Sequence, residues 1–256
     1  MARLLDHTLT GARGKRVCML IHPMGADKSF WTDFQMQMGD AWCMVASDQY
    51  GAGAVADITE PLSLDGHVRD LEALRQHLQI EQMVVIGCAI GAMIGARYTH
   101  LYPQHVSALV MTNPGLRTRE AAQTALAARA QAVRAGGMDA VVPAATDAAF
   151  FGRPDDARKA AYVEKFRAQN AHNYAATIES ILQLDLTESY RQIRCPVLLV
   201  PGGQDKLFTP DHADEIKALM PHARLEVLAQ GAHFIPYQCP DDLAVLVQDF
   251  LQRHAV

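Results

Sequence analysis

The sequence predicts an α/β protein, a mostly parallel central sheet flanked by helices with a helical cap inserted between two strands. Three observations predict it. Short apolar runs rich in β-branched residues recur along the chain, the pattern of strands buried on both faces. Amphipathic helical periods lie between them, and strands alternating with helices at this spacing specify a sheet covered on both sides. One long segment, about 117–190, breaks the alternation with helical text alone.

The strand candidates, in order, are RVCMLI (Arg16 to Ile21), WCMVAS from Trp42, QMVVIG from Gln82, VSALVM from Val106, VLLV (Val197 to Val200) and RLEVL from Arg224. Leu64, Val68, Leu71, Leu74 and Leu78 recur at helical spacing behind Ser63, whose hydroxyl suits an N-cap. A closing helix after Pro240 is marked by Leu243, Leu246, Val247, Phe250 and Leu251. The alanine-rich REAAQTALAARAQAVRAGGMDAVV and the later DDARKAAYVEKFRAQNAHNYAATIESIL fill the segment without a strand. Residues 1–116 and 191–256 therefore read as the core and 117–190 as the cap. No repeat, low-complexity tract or flexible linker divides the chain further.

Composition narrows the function. With 256 residues, 50% hydrophobic and 20% charged, the chain can bury one large core. A net charge of -5 and the lack of any Lys/Arg run argue against nucleic acid and anionic membrane as partners. No stretch reaches the roughly 18 apolar residues of a membrane span, and the opening lacks the apolar core of a signal peptide. A soluble cytoplasmic protein with a small-molecule partner is expected, and a homodimer is left open. The five cysteines are scattered and odd in number, which suggests neither a disulfide framework nor a thiolate metal site. No metal-ligand spacing is present among the eleven histidines, so neither metal nor cofactor is expected.

Four motifs sit where strands should end. Gly87-Cys88-Ala89-Ile90-Gly91 follows an apolar strand and precedes a helical stretch, the setting of a strained strand-to-helix elbow in which small residues flank a central presented side chain. His22-Pro23-Met24-Gly25 follows the first apolar run. Asp205, in VPGGQD, lies just past another strand, at the carboxyl edge where open sheets bind ligands. His233 follows RLEVL and precedes the last helix. Elbow, then acid, then histidine is the chain order of a hydrolytic triad on such a sheet.

With these motifs the chain resembles the α/β-hydrolases over roughly residues 15 to 252. SDQYGAG (Ser47 to Gly53) resembles that family's D-x-x-G-x-G loop, and LYPQHVSALVMTNP its usual stretch after the elbow helix. RAQAVRAGGMDAVVPAATDAAFF and NYAATIESILQLDLTESYRQIRCPVLLVPGGQD resemble the 3-oxoadipate enol-lactonase branch. The resemblance implies an α/β-hydrolase fold in which a serine at position 89 attacks an ester or lactone carbonyl, His233 relays its proton and Asp205 orients the histidine. It implies an oxyanion hole from the backbone N–H groups of Met24 and Ile90. Substrate-binding candidates are His22, Phe150, Phe151 and Arg117, with Arg119 and Arg134 as further partners for a carboxylate. Phe150-Phe151 stands where the branch often has Trp-Phe, which points to a different acyl pocket.

The graver departure is Ala89. Alanine has no hydroxyl, and loss of the nucleophile costs a serine hydrolase on the order of a million-fold in turnover. Cys88 is no substitute, because centring the elbow on it would put Ile86 and Ile90 where small residues are needed; it reads as a packing residue. Either the serine has been replaced so that substrate is held unreacted, or a natural form uses His233 and Asp205 without a nucleophile. Retention of Gly87, Gly91, Asp205 and His233 favours the first. The leading expectation is thus a hydrolase of a small-molecule ester, lactone or related acyl bond in an inactive form. The alternatives are a nucleophile-free lyase or cofactor-independent oxygenase using His233 as base, and a ligand-binding pseudoenzyme.

Overall fold

The computed structural model describes every residue except Met1, Arg13 and Ala54. Strands β1 (His7–Thr10), β2 (Val17–Ile21), β3 (Cys43–Ser47), β4 (Met83–Cys88), β5 (Val106–Thr112), β6 (Val197–Val200) and β7 (Arg224–Leu225) form one sheet in the order β1-β3-β2-β4-β5-β6-β7. Every neighbouring pair is parallel except β1, which runs antiparallel to β3. Along the chain follow α1 (Thr32–Met38), α2 (Leu64–His77) and α3 (Ile90–Leu101). Between β5 and β6 lie α4 (Glu120–Gly136), α5 (Val142–Ala149), α6 (Ala157–Arg167), α7 (Ala171–Ser180) and α8 (Thr187–Gln192). The chain closes with α9 (Pro210–Leu219), α10 (Ile235–Gln238) and α11 (Pro240–Arg253).

The strand residues sort by parity onto two cores. Cys18, Leu20, Val84, Ile86, Ala108 and Val110 meet α1 and α11 through Phe34, Leu243 and Phe250. Met19, Ile21, Val85 and Leu109 meet α2, α3 and α9 through Leu71, Leu74, Ile94 and Ile216. Each Val, Leu, Ile, Met or Phe among them stabilises the fold by about 1.5–3 kcal/mol when fully buried. Because both faces are covered, a one-residue slip of a strand would transpose its two side-chain sets, so packing on both sides fixes the register.

Two expectations of strand content are corrected. RLEVL forms only the two-residue β7: Glu226 N–H still donates to the Leu199 carbonyl at 2.9 Å, but Val227 is exposed at the sheet edge and Leu228 touches Gly202 through a single bridge. Strand β1 has no counterpart in the sequence reading: its short, mostly exposed HTLT carries no apolar signal and is held by pairing with β3. Ser63 does cap α2, its Oγ accepting from the Gly66 N–H at 3.1 Å.

The helical segment leaves the core at 116–118 and re-enters it at 184–186 through one narrow neck, so that α8 packs with the core, on α3 and α9. Thr118 N–H donates to the Leu184 carbonyl at 2.8 Å and Leu186 N–H to the Leu116 carbonyl at 3.1 Å. A second tether joins α7 to the loop after β3: Ile58 N–H donates to Asn173 Oδ1 at 2.9 Å, and Asn170 N–H to the Gly53 carbonyl at 3.1 Å.

Helix α3, whose first turn borders the elbow, is pinned from behind by a buried polar knot. The Tyr98 hydroxyl donates to Glu72 Oε2 at 2.7 Å, and Arg75 binds both Glu72 oxygens at 2.9 and 2.8 Å. Burial raises the Glu72 carboxyl, but the hydrogen bonds from Arg75, Tyr98 and Gln76 outweigh it and bring it down to about 2. A depressed carboxylate contributes stability that is fully present above its unfolded value near 4.5 and is lost as pH falls toward about 2. Denaturant unfolding across pH should therefore show the parent's advantage over Glu72→Gln largest above about pH 4.5 and shrinking toward pH 2. A gap that stays constant through that window would contradict this account.

Candidate active site

The elbow is a matter of space before it is one of chemistry. A Cβ on Gly91 would lie 2.1 Å from the Ile21 carbonyl oxygen, and one on Gly87 would lie 2.3 Å from the Gly91 carbonyl oxygen. Only glycine lets α3 start this close to β2 and β4. Between them Ala89 is driven to φ 51°, ψ -117°, a region an L-residue seldom adopts and that costs on the order of 1–3 kcal/mol. Its N–H donates to the Thr112 carbonyl at 3.0 Å, while its carbonyl accepts from Ala92 and Met93.

Next to this turn stands an oriented histidine. His233 Nδ1 lies 2.9 and 3.1 Å from the two oxygens of Asp205, which leaves Nε2 as the uncommitted ring nitrogen. Asp205 is held in turn by the N–H groups of Leu207 and Phe208, at 2.8 and 3.0 Å, and by the Asn113 amide at 2.9 Å. Burial raises the Asp205 carboxyl, but the neighbouring His233 and these hydrogen bonds outweigh it and keep it below the usual carboxylate range. A carboxylate so fixed selects the Nδ1–H tautomer and directs the Nε2 lone pair outward.

Ala89, Ile90, Met24 and His233 line a cavity of about 390 Å³, within the range of small-molecule sites. Its far wall comes from the helical segment, chiefly Leu126, Tyr162, Phe166 and Tyr174. The N–H groups of Met24 and Ile90 have no acceptor among the described residues. Ile90 opens α3, so the positive end of the helix dipole also faces this point. Among the described residues no group of three His, Cys, Asp or Glu side chains is placed to hold a metal.

The sequence profile of the alpha/beta hydrolase fold matches residues 7–238. The chain belongs to that family. It is 26% identical over 254 residues to 3-oxoadipate enol-lactonase 2 of Acinetobacter baylyi, covering 97% of this chain and 93% of the relative. RutD of Escherichia coli, provisionally named a carbamate hydrolase, is 27% identical over 240 residues, 90% of this chain and 89% of its own. In three dimensions the enol-lactonase of Burkholderia xenovorans superposes with a TM-score of 0.88 at 21% identity, covering 97% of this chain and 96% of the other.

The structure brings Ala89, Asp205, His233, Met24 and Ile90 to one place and sets six other candidates apart. His22 is buried below the cavity: its ring contacts the Pro23 carbonyl at 2.8 Å and accepts the Gln49 N–H at 3.0 Å, and burial pushes it toward the neutral form. Phe150 packs behind the wall against Tyr162, Phe234 and Tyr237. Phe151 is 47% exposed, with the Lys206 ammonium over its ring. Arg117 pairs with Glu215 outside the cavity, Arg119 pairs with Asp211 and Glu215, and Arg134 with Glu179. Cys88 is fully buried, its thiol raised by burial and 3.8 Å from Asn113 Oδ1, so it packs rather than faces the cavity.

Asn113 and Arg129 escaped the sequence reading. Asn113, at φ 49° just past β5, donates to Asp205 and to the Ala232 carbonyl and accepts from Ile235 N–H, which clasps the acid loop to the histidine loop. An asparagine directly after a strand and before Pro-Gly was the available signal.

Releasing the strain at position 89 should be measurable. Ala89→Gly is expected to raise stability by about 1 kcal/mol, the strain relieved less the added freedom of the unfolded chain. Gly91→Ala should lower it by about 3 kcal/mol, because backbone and not a movable side chain lies in the way. Urea unfolding of both variants checks the pair. A destabilised Ala89→Gly would mean that the turn is unstrained.

Proposed function

We propose that this chain is a hydrolase of a small-molecule ester, lactone or related acyl bond, in a form whose nucleophile is missing at Ala89. The observation that carries the reading is the strained turn itself. It costs folding energy to present one side chain to the cavity beside an oriented His233, and the side chain presented is a methyl group.

With a serine at 89, the hydroxyl oxygen would attack the acyl carbon as its proton passes to His233 Nε2. Asp205 would stabilise the imidazolium, and the Met24 and Ile90 N–H groups would receive the oxyanion. His233 would then protonate the leaving group, and a water activated at the same nitrogen would release the acid. Helices α4 to α7 act as a lid that excludes water and shapes the acyl pocket. The enol-lactonase and RutD relatives favour a cyclic ester or carbamate over a long-chain lipid. The absence of disulfides among the cysteines fits a reducing, cytoplasmic setting.

A second reading has its own observation, the free Nε2 of a buried, carboxylate-paired His233 that faces an apolar cavity. Such a group can take a proton from a substrate carbon without any nucleophile, as a lyase or oxygenase base does.

Ala89→Ser separates the two. Under the first reading it raises hydrolysis of small activated esters or lactones by up to about a million-fold over the parent, and adding His233→Ala abolishes the gain. A variant that stays at background across esters, lactones and carbamates would sink the hydrolase reading. The parent chain should bind the same substrates and return them intact on extraction.

A further inference from the structure

The cavity has a charge that its walls do not balance. Arg129 and Lys206 line it, and no Asp or Glu stands among the described lining residues. Lys206 is exposed and covers Phe151. Arg129 is different, because it projects from the cavity face of α4, where Ala122, Ala125, Leu126 and Arg129 share one side of the helix.

Neighbouring arginines show what this one lacks. Arg134, on the same helix, binds Glu179 at 2.7 Å, and Arg119 binds Asp211 and Glu215 at 2.7 Å each. Arg129 has no carboxylate within 4.0 Å among the described residues. Its neighbours are the phenols of Tyr174, to which it is hydrogen-bonded, and of Tyr162; burial raises both hydroxyls, and the Arg129 charge beside them works against that rise. A partly buried guanidinium among apolar and phenolic groups lacks a counter-ion and is matched by one that arrives with a ligand.

We propose that Arg129 is the receptor for a carboxylate on the substrate, so that the site takes a monoanionic acyl compound with its carboxylate at Arg129 and its acyl carbon beside Ala89. The proposal rests on the acyl-site reading for the second half of that statement and, for the first, on an arginine with no carboxylate partner among the described residues. Arg129 binds and positions; it takes no part in proton transfer. The positive cavity also draws anions toward a chain whose net charge is -5.

The test compares half-esters and full esters of straight-chain dicarboxylic acids, such as monomethyl and dimethyl pimelate, by calorimetry on the unmodified chain. The half-ester should bind at least about tenfold more tightly, and Arg129→Met should weaken it by about 10- to 100-fold while changing the diester less than about twofold. Arg129→Lys should recover part of the loss, since a point charge replaces the fork. Equal binding of the two esters, binding of neither at any chain length, or an equal loss of both in Arg129→Met would each overturn the proposal. The same pairs assayed for hydrolysis with Ala89→Ser keep the two readings apart. A half-ester preference in binding with no turnover of either ester would retain the carboxylate receptor and reject the acyl chemistry. Turnover without that preference would do the reverse.

Discussion

The contact between the backbone of Gly91 and the carbonyl end of β2 is the constraint on which the rest of the site depends. Where a Cβ would meet the Ile21 oxygen at 2.1 Å, the start of α3 can sit directly over the strand ends. That single approach has three results. It forces Ala89 into its unusual backbone conformation, it aims the first turn of α3 at the cavity, and it brings Ile90 alongside the loop that carries Met24. Two backbone donors from distant parts of the sequence thereby face one small volume without a side chain to hold them there. The Glu72 knot on the far side of α3 opposes any retreat of the helix from this position.

A second set of interactions depends on that placement. Asn113, at the end of β5, is hydrogen-bonded to Asp205 and to both sides of the His233 loop. Three strand-end loops are thus joined through one amide, and the carboxylate has its oxygens satisfied before the imidazole is counted. In a dry setting a fully satisfied network of this kind is rigid, while a partly satisfied one would be costly. The geometry of the histidine therefore depends little on the residue at 89, which explains how an alanine there coexists with an intact acid–base pair.

Much of this was legible in the sequence because local rules and tertiary packing agree. Strands β2 to β6 are apolar on both faces, and the sheet that buries both faces is what they form. Gly87 and Gly91 signalled close approach through their spacing around a strand-to-helix turn. The failures share a different cause. β1 exists only by virtue of its partner, and β7 is cut short where the edge is open. Arg117 and Arg129 look alike in the sequence, but the acid that claims Arg117 lies 98 residues away and, among the described residues, none claims Arg129. Phe150 and Phe151 were a motif only by resemblance; their positions follow from where α5 ends, which periodicity does not specify.

The neck at residues 116–118 and 184–186 has an implication for how such chains diversify. Because the ascending and descending strands of the neck are hydrogen-bonded to each other, the sheet receives a closed hairpin, while the histidine loop also leans on what lies beyond it, His233 N–H donating to the Ala149 carbonyl at 3.1 Å and Gln238 Nε2 to the same oxygen at 3.0 Å. Helices past that point can vary in length and content as long as the end of α5 still presents a carbonyl to the histidine loop. Recognition and reactivity are then written in stretches of the chain that meet at that one carbonyl, and a graft of residues 117–185 between relatives leaves the recipient's histidine in place only where the donor supplies the same acceptor.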